Sequence, residues 1–133
     1  MTRTERIKAA YAEWAASKGA DPGVWMALMG PGFEFRTTLA SVAGGGFKAC
    51  YRRDEIGDYF AALDRTFAME AMAPTVFIEQ GDTVAGLIDA EWTNRATGRS
   101  FRSEVATFWT FDGDQASGYR ELSDTAGIAR TFD

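Results

Sequence analysis

From Thr75 to Leu122 the sequence runs through strand-like segments separated by glycine turns. "TVFIEQ" and "TVAGLIDAEWTNR" are joined by Gly81-Asp82, the next turn contains Thr97-Gly98, and Asp112-Gly113 introduces the last segment. Period-two alternation with turn residues at short intervals predicts an antiparallel meander of about four strands. Such a sheet buries one face, so the first half of the chain must supply the cover.

That half reads mainly as helices. Ile7, Ala10, Tyr11 and Trp14 follow the spacing of a single buried helical face, with Gly19 as a stop. In "DPGVWMALMG", Asp21 suits an N-cap, Pro22 the first helical position, and Gly30 and Pro31 the termination. Ile56, Tyr59, Phe60, Leu63 and Phe67 line one face of a third helix, predicted to be the longest, running from Asp54 to a stop at Pro74. "FEFRT" fits a short strand. "LASVAGGGFKACY" fits a loop or irregular strand, with Gly44, Gly45 and Gly46 as a flexible connection that lacks the Gly-Lys-Ser/Thr ending of a phosphate loop. "SDTAGIA" opens a final helix capped by Ser123 or Asp124. The plan is α+β, in one domain spanning residues 1–133.

Composition narrows the chemistry. Nearly half the chain, 46%, is apolar, enough for a substantial core, and the net charge of −5 with scattered Lys and Arg argues against a nucleic-acid partner. There is no histidine and a single cysteine, Cys50. That excludes Ser-His-Asp and Cys-His catalysis, an internal disulfide and the common histidine-bearing metal sites; no metal and no cofactor are expected. Proton transfer near neutral pH must then use a carboxylate, tyrosine, lysine or water. "MTRTERIKAAYAEW" is too charged for a secretory leader and no segment is apolar enough to span a membrane, so a cytoplasmic location is expected.

Strand parity assigns faces. Val84, Gly86, Ile88, Ala90 and Trp92 form one inward set, and Val105, Thr107, Trp109 and Phe111 the next. Pairing through Asp112-Gly113 brings Tyr119, Glu121 and Ser123 inward, with Glu121 beside Val105 and near Thr107; a slip of one residue reverses this. The outward set mixes Leu87, Phe108 and Leu122 with Asp89, Glu91, Arg102, Glu104 and Arg120, which suits a homodimer through the outer sheet face.

The order of elements, with "YAEWAASKGADPGVWMALM", "QGDTVAGLIDAEWTNRATGRSF" and "FWTFDGDQASGYRELSDTAG", resembles the nuclear-transport-factor-2-like superfamily in its SnoaL-like branch, which includes ketosteroid isomerase and limonene epoxide hydrolase. The resemblance implies a cone-shaped roll: three N-terminal helices packed in a strongly curved, mostly antiparallel sheet, a short C-terminal helix, and a pocket at the open end. It also implies dimerisation through the outer face. Tyr11 falls near the isomerase's oxyanion tyrosine, but its base falls near Thr37 and its protonated acid near Thr107, so that mechanism is not expected. In "YRELSD", Glu121 matches the hydrolase's functional aspartate, while Ala90 and Trp92 stand where that family carries a paired arginine and aspartate.

Glu121 is therefore the leading candidate. Apolar surroundings raise a carboxyl's pKa toward the range useful for an acid or base. Tyr11 or Tyr119 would donate to a developing oxyanion, and Arg36 would bind an anionic group. The expected wall comprises Ile88, Trp92, Val105, Thr107, Trp109 and Tyr119 from the sheet, Phe35 from the first strand, and Trp14, Phe60 and Leu63 from the helices. Met26, Met29, Met69 and Met72 are packing residues that would give the pocket an adaptable lining. Two functions fit: a cofactor-free enzyme moving a proton on a small, largely apolar oxygenated molecule, by isomerisation, dehydration, cyclisation or hydrolysis, or a non-catalytic binding or dimerisation module. A second polar group converging on the cavity favours the first.

Overall fold

The computed structural model describes residues 1–43 and 46–133. Helix α1 (Arg3–Ala16) starts at a capping box, in which the Thr2 hydroxyl accepts from the Glu5 amide and the Glu5 side chain accepts from the Thr2 amide. It buries Ile7, Ala10, Tyr11 and Trp14. The second helix, α2 (Gly23–Met26), is a single turn. Asp21 accepts from the Gly23 amide, as a start signal should, but Gly30 and Pro31 do not follow a longer helix. They lie inside strand β1 (Met29–Arg36), in a stretch whose pairing to the neighbouring strand is irregular between Met29 and Glu34.

Two short elements follow, α3 (Ala40–Ala43) and β2 (Cys50–Arg52). Of the three consecutive glycines, Gly44 and Gly45 lie outside the described residues, and Gly46 sits in a turn. A 3-10 turn over Arg53–Glu55 leads into α4 (Ile56–Thr66), which buries Ile56, Tyr59, Ala62 and Leu63.

The expected run of this helix to Pro74 is wrong. It ends at Thr66, is shorter than α1, and Phe67 begins the edge strand β3 (Phe67–Gln80). From there burial alternates, with Phe67 and Met69 buried and Ala68 and Glu70 less so. Pro74 fits because β3 is at the sheet edge and its pairing shifts between Pro74 and Val76, where a missing N–H is tolerated.

Strands β4 (Thr83–Asn94), β5 (Ser100–Asp112) and β6 (Gln115–Leu122) complete a curved, six-stranded sheet in the order β2-β1-β6-β5-β4-β3. The expected four-strand meander is thus extended at its far side: β1 pairs with β6 in parallel and with β2 antiparallel, and the other pairs are antiparallel. Helix α5 (Thr125–Arg130) closes the chain, capped by Asp124, which accepts from the Gly127 amide. Among the described residues no helix is long and apolar enough to cross a membrane.

The core fills the hollow between helices and sheet. Trp25 stacks on Trp109 with ring centroids 5.5 Å apart, and Phe35 stacks on Tyr119 at 4.8 Å. Gly86 is a required gap. A Cβ there would come within 2.8 Å of the Phe77 ring and 2.9 Å of the Thr107 hydroxyl, so the missing side chain is what lets Phe77 lie against the sheet.

Candidate active site

The last strand would not present Glu121 to the interior without an irregularity. At the turn, Asp112 pairs with Gln115 and Phe111 with Ala116. Continued evenly, that register would set Glu121 opposite Ala106, on the outer face. Between these pairs and Thr110–Gly118 the register shifts by one residue, and Ser117 is the extra one. Beyond it Trp109 faces Tyr119 and Thr107 faces Glu121. The partner of Glu121 is Thr107, not Val105 as the sequence suggests, but the face is the inward one.

The Glu121 carboxyl is met by uncharged donors from three elements. The Thr37 hydroxyl, just beyond β1, donates to Oε1 at 2.7 Å; the Tyr59 hydroxyl on α4 donates to the same oxygen at 3.5 Å; and Tyr119, two residues back on β6, donates to Oε2 at 2.7 Å. These bonds favour the ionised form, and desolvation opposes it. Desolvation is the larger, so the Glu121 pKa lies above the ordinary glutamate value. The side chain keeps some accessible surface where it lines the cavity, yet enough protein surrounds it for burial to dominate.

The cavity has a volume of about 90 Å³. Tyr11 and Glu121 both line it. Burial, with the neighbouring Glu121 charge adding to it, pushes the Tyr11 phenol well up. Burial likewise raises Tyr59 and Tyr119, with the Glu121 charge adding to it. All three phenols remain neutral donors across the physiological range.

The other expected wall residues also line this cavity. Trp14, Phe35, Phe60 and Leu63 come from the helices and β1. Ile88, Trp92, Val105, Thr107, Trp109 and Tyr119 come from the sheet. Arg36 does not line it. It sits on the exposed side of β1, paired with Glu34 at 3.3 Å, because strand alternation turns Phe33 and Phe35 inward and Glu34 and Arg36 outward. The proposed electrophilic role for Arg36 is therefore corrected.

Thr37 and Tyr59 are the functional candidates that sequence reasoning missed. Thr37 shares the inward parity of Phe33 and Phe35, and Tyr59 lies on the buried stripe of α4, so a signal was present for each. Among the described residues, no group of three or more His, Cys, Asp or Glu side chains could hold a metal ion.

A curved sheet with helices in its hollow and polar groups on the wall of an apolar cavity is the NTF2-like cone. The chain belongs to the SnoaL-like domain family, whose model matches residues 7–119. Solved structures share the whole architecture. An NTF2-like protein from Burkholderia thailandensis is 26% identical, with a TM-score of 0.80 over 100% of this chain and 99% of that one. An NTF2-like protein of unknown function from Burkholderia pseudomallei is 23% identical, with a TM-score of 0.81 and 98% of each chain covered. TerC, co-crystallised with polyporic acid, is 23% identical, with a TM-score of 0.81 over 96% of this chain and 95% of that one. No curated protein matches the sequence.

Proposed function

We propose that this protein binds a small, largely apolar, oxygen-bearing molecule in the cavity and transfers a proton on it without a cofactor. The observation that carries this reading is the Glu121 carboxyl: it lines an apolar chamber, among the described residues no arginine or lysine lines that chamber with it, and its pKa is raised by burial. A raised carboxyl exchanges protons at a useful pH. Glu121 takes a proton from the carbon beside a carbonyl, and the C–H electron pair moves onto the carbonyl oxygen. Tyr11, a neutral donor in the same wall, holds that oxygen. Return of the proton to carbon closes the cycle with no co-reactant. TerC, a protein of the same fold, was co-crystallised with polyporic acid, which is in keeping with a chamber that accepts a small organic molecule.

The test is carbon-bound hydrogen exchange in D2O, followed by proton NMR on a panel of cyclic ketones. Glu121→Gln should lower the catalysed exchange rate roughly 10²-fold or more while leaving the fold intact. Exchange that is no faster than in buffer, or equal in the Gln variant, would favour the non-catalytic binding module.

The outer sheet face supports a second proposal, that two copies associate through it. Val76, Leu87, Ala106 and Leu122 are successive cross-strand partners over four strands, and Ile78, Ala85 and Phe108 form the row beside them. Val76, Ile78, Phe108 and Leu122 are exposed, which makes a continuous apolar band. Light scattering should give a dimer mass for the wild type and a monomer mass for Leu122→Arg; a wild-type monomer at micromolar concentration would end this proposal.

A further inference from the structure

The inner cavity is small for the molecule just proposed. Ligand pockets usually run to roughly 300–1,000 Å³, whereas this chamber is about 90 Å³. A second hollow, a groove open to solvent, lies outside it, lined by Lys8 and Ala12 of α1 and by Met72, Ala73, Pro74, Thr75 and Phe77 of β3. Among the described residues, Met72 is the one that lines both.

The partition between the two hollows has a hard part and a soft part. Phe77 is hard: its ring lies against Gly86, where even a Cβ would clash, and its centroid is 6.4 Å from that of Tyr11. Met72 is soft. It is half-buried, and its unbranched side chain swings about three rotatable bonds. Its backbone lies between the two places where β3 changes register, Met69/Ala71 and Pro74/Val76. As an edge strand, β3 is paired on one side only, and Pro74 has no N–H to contribute. The outer hollow is itself mostly apolar, and the Lys8 ammonium stands 5.8 Å from the Phe77 ring at its side.

Resting on the proton-transfer reading of the inner cavity, we propose that Met72 is a movable partition and that the α1–β3 cleft is a second subsite, which takes the apolar tail of an elongated ligand whose oxygen-bearing head lies beside Glu121 and Tyr11. The molecule that fits is an aryl or cyclic oxygenated head group carrying an unbranched hydrocarbon substituent, not a compact ring alone. Met72 selects for the tail, and Glu121 acts on the head.

The experiment is calorimetric binding of phenol and its 4-methyl, 4-butyl and 4-hexyl derivatives. In the wild type, affinity should rise up to roughly fourfold for each methylene that reaches the cleft. Met72→Trp should abolish that gain. Ala12→Trp tests the same point from the exposed side of α1, where the fold does not depend on the residue. It fills the cleft without touching the inner cavity, and it too should remove the chain-length gain. A flat series in the wild type, or a gain that survives Ala12→Trp, overturns the second subsite. The two readings fail separately: phenol that binds nowhere, or binds equally to wild type and Glu121→Gln, counts against the inner site, whatever the tails do.

Discussion

Glu121 on β6 and Asp89 on β4 are carboxylates of one sheet, and the sheet sends them to opposite faces. Asp89 is on the outer face, held by Arg102 with contacts of 2.6 and 3.2 Å, and that guanidinium lowers its pKa. Among the described residues Glu121 has three hydroxyl donors and no cation, and its pKa is raised because burial outweighs them. A fixed ion pair gives Asp89 permanent charge and no capacity to exchange protons at neutral pH. Neutral donors orient Glu121 without pinning its charge. The outward position of Arg36 belongs to the same logic: a guanidinium in the chamber would have drawn the Glu121 pKa down and removed the property that makes it useful.

The largest contrast between the faces should appear at adjacent residues of β5. Trp109 is 3% exposed and packs on Trp25, Phe33 and Tyr119, whereas Phe108 is 42% exposed on the opposite side. Trp109→Ala should cost about 3–5 kcal/mol in urea unfolding, through lost burial and the cavity left behind. Phe108→Ala should cost well under half as much, and any effect should depend on protein concentration if the band is a dimer contact. Equal, concentration-independent losses would mean that the faces are not as different as their burial implies.

The sequence reveals faces more readily than registers or ends. Period-two alternation separates inward from outward residues along β4 and β5 with no further information. At β6 the same rule needs the Ser117 bulge. Nothing in "DQASGYREL" fixes where the extra residue falls, so the sequence places Glu121 on the right face beside the wrong neighbour. The end of α4 was illegible for another reason. In "LDRTFAMEAMAP" the apolar residues satisfy a helical stripe and a strand alternation about equally well, and only pairing with β4 decides between them. Glu121 could be singled out because a lone inward carboxylate breaks an apolar pattern. Thr37 and Tyr59 conform to theirs, and their hydroxyls matter only through a neighbour that arrives from far along the chain.

The finer test of the two faces is pH. The folded-state pKa of Glu121 exceeds the unfolded value, so the folded state binds its proton more tightly. Its favourable contribution is complete below the unfolded glutamate value, about 4.3. It is lost as pH rises through the higher folded value, at about 1.4 kcal/mol for each unit between the two. Glu121→Gln abolishes this fall, so the variant should gain on the wild type as pH increases from near 4.3 into the neutral range. Asp89 has the opposite sign: its folded pKa is depressed, so its contribution is present above the unfolded value and disappears only as pH falls through the folded one. Asp89→Asn should therefore be less stable than the wild type by a constant amount at neutral pH, a deficit that closes only in acid. Being a surface substitution, it should be the smaller effect, and added salt should weaken it further. Chemical denaturation at closely spaced pH values would resolve both. A Gln variant whose difference from the wild type stays constant across the range would show that Glu121 ionises like a carboxylate in water, and the contrast between the faces would then be one of position without chemistry.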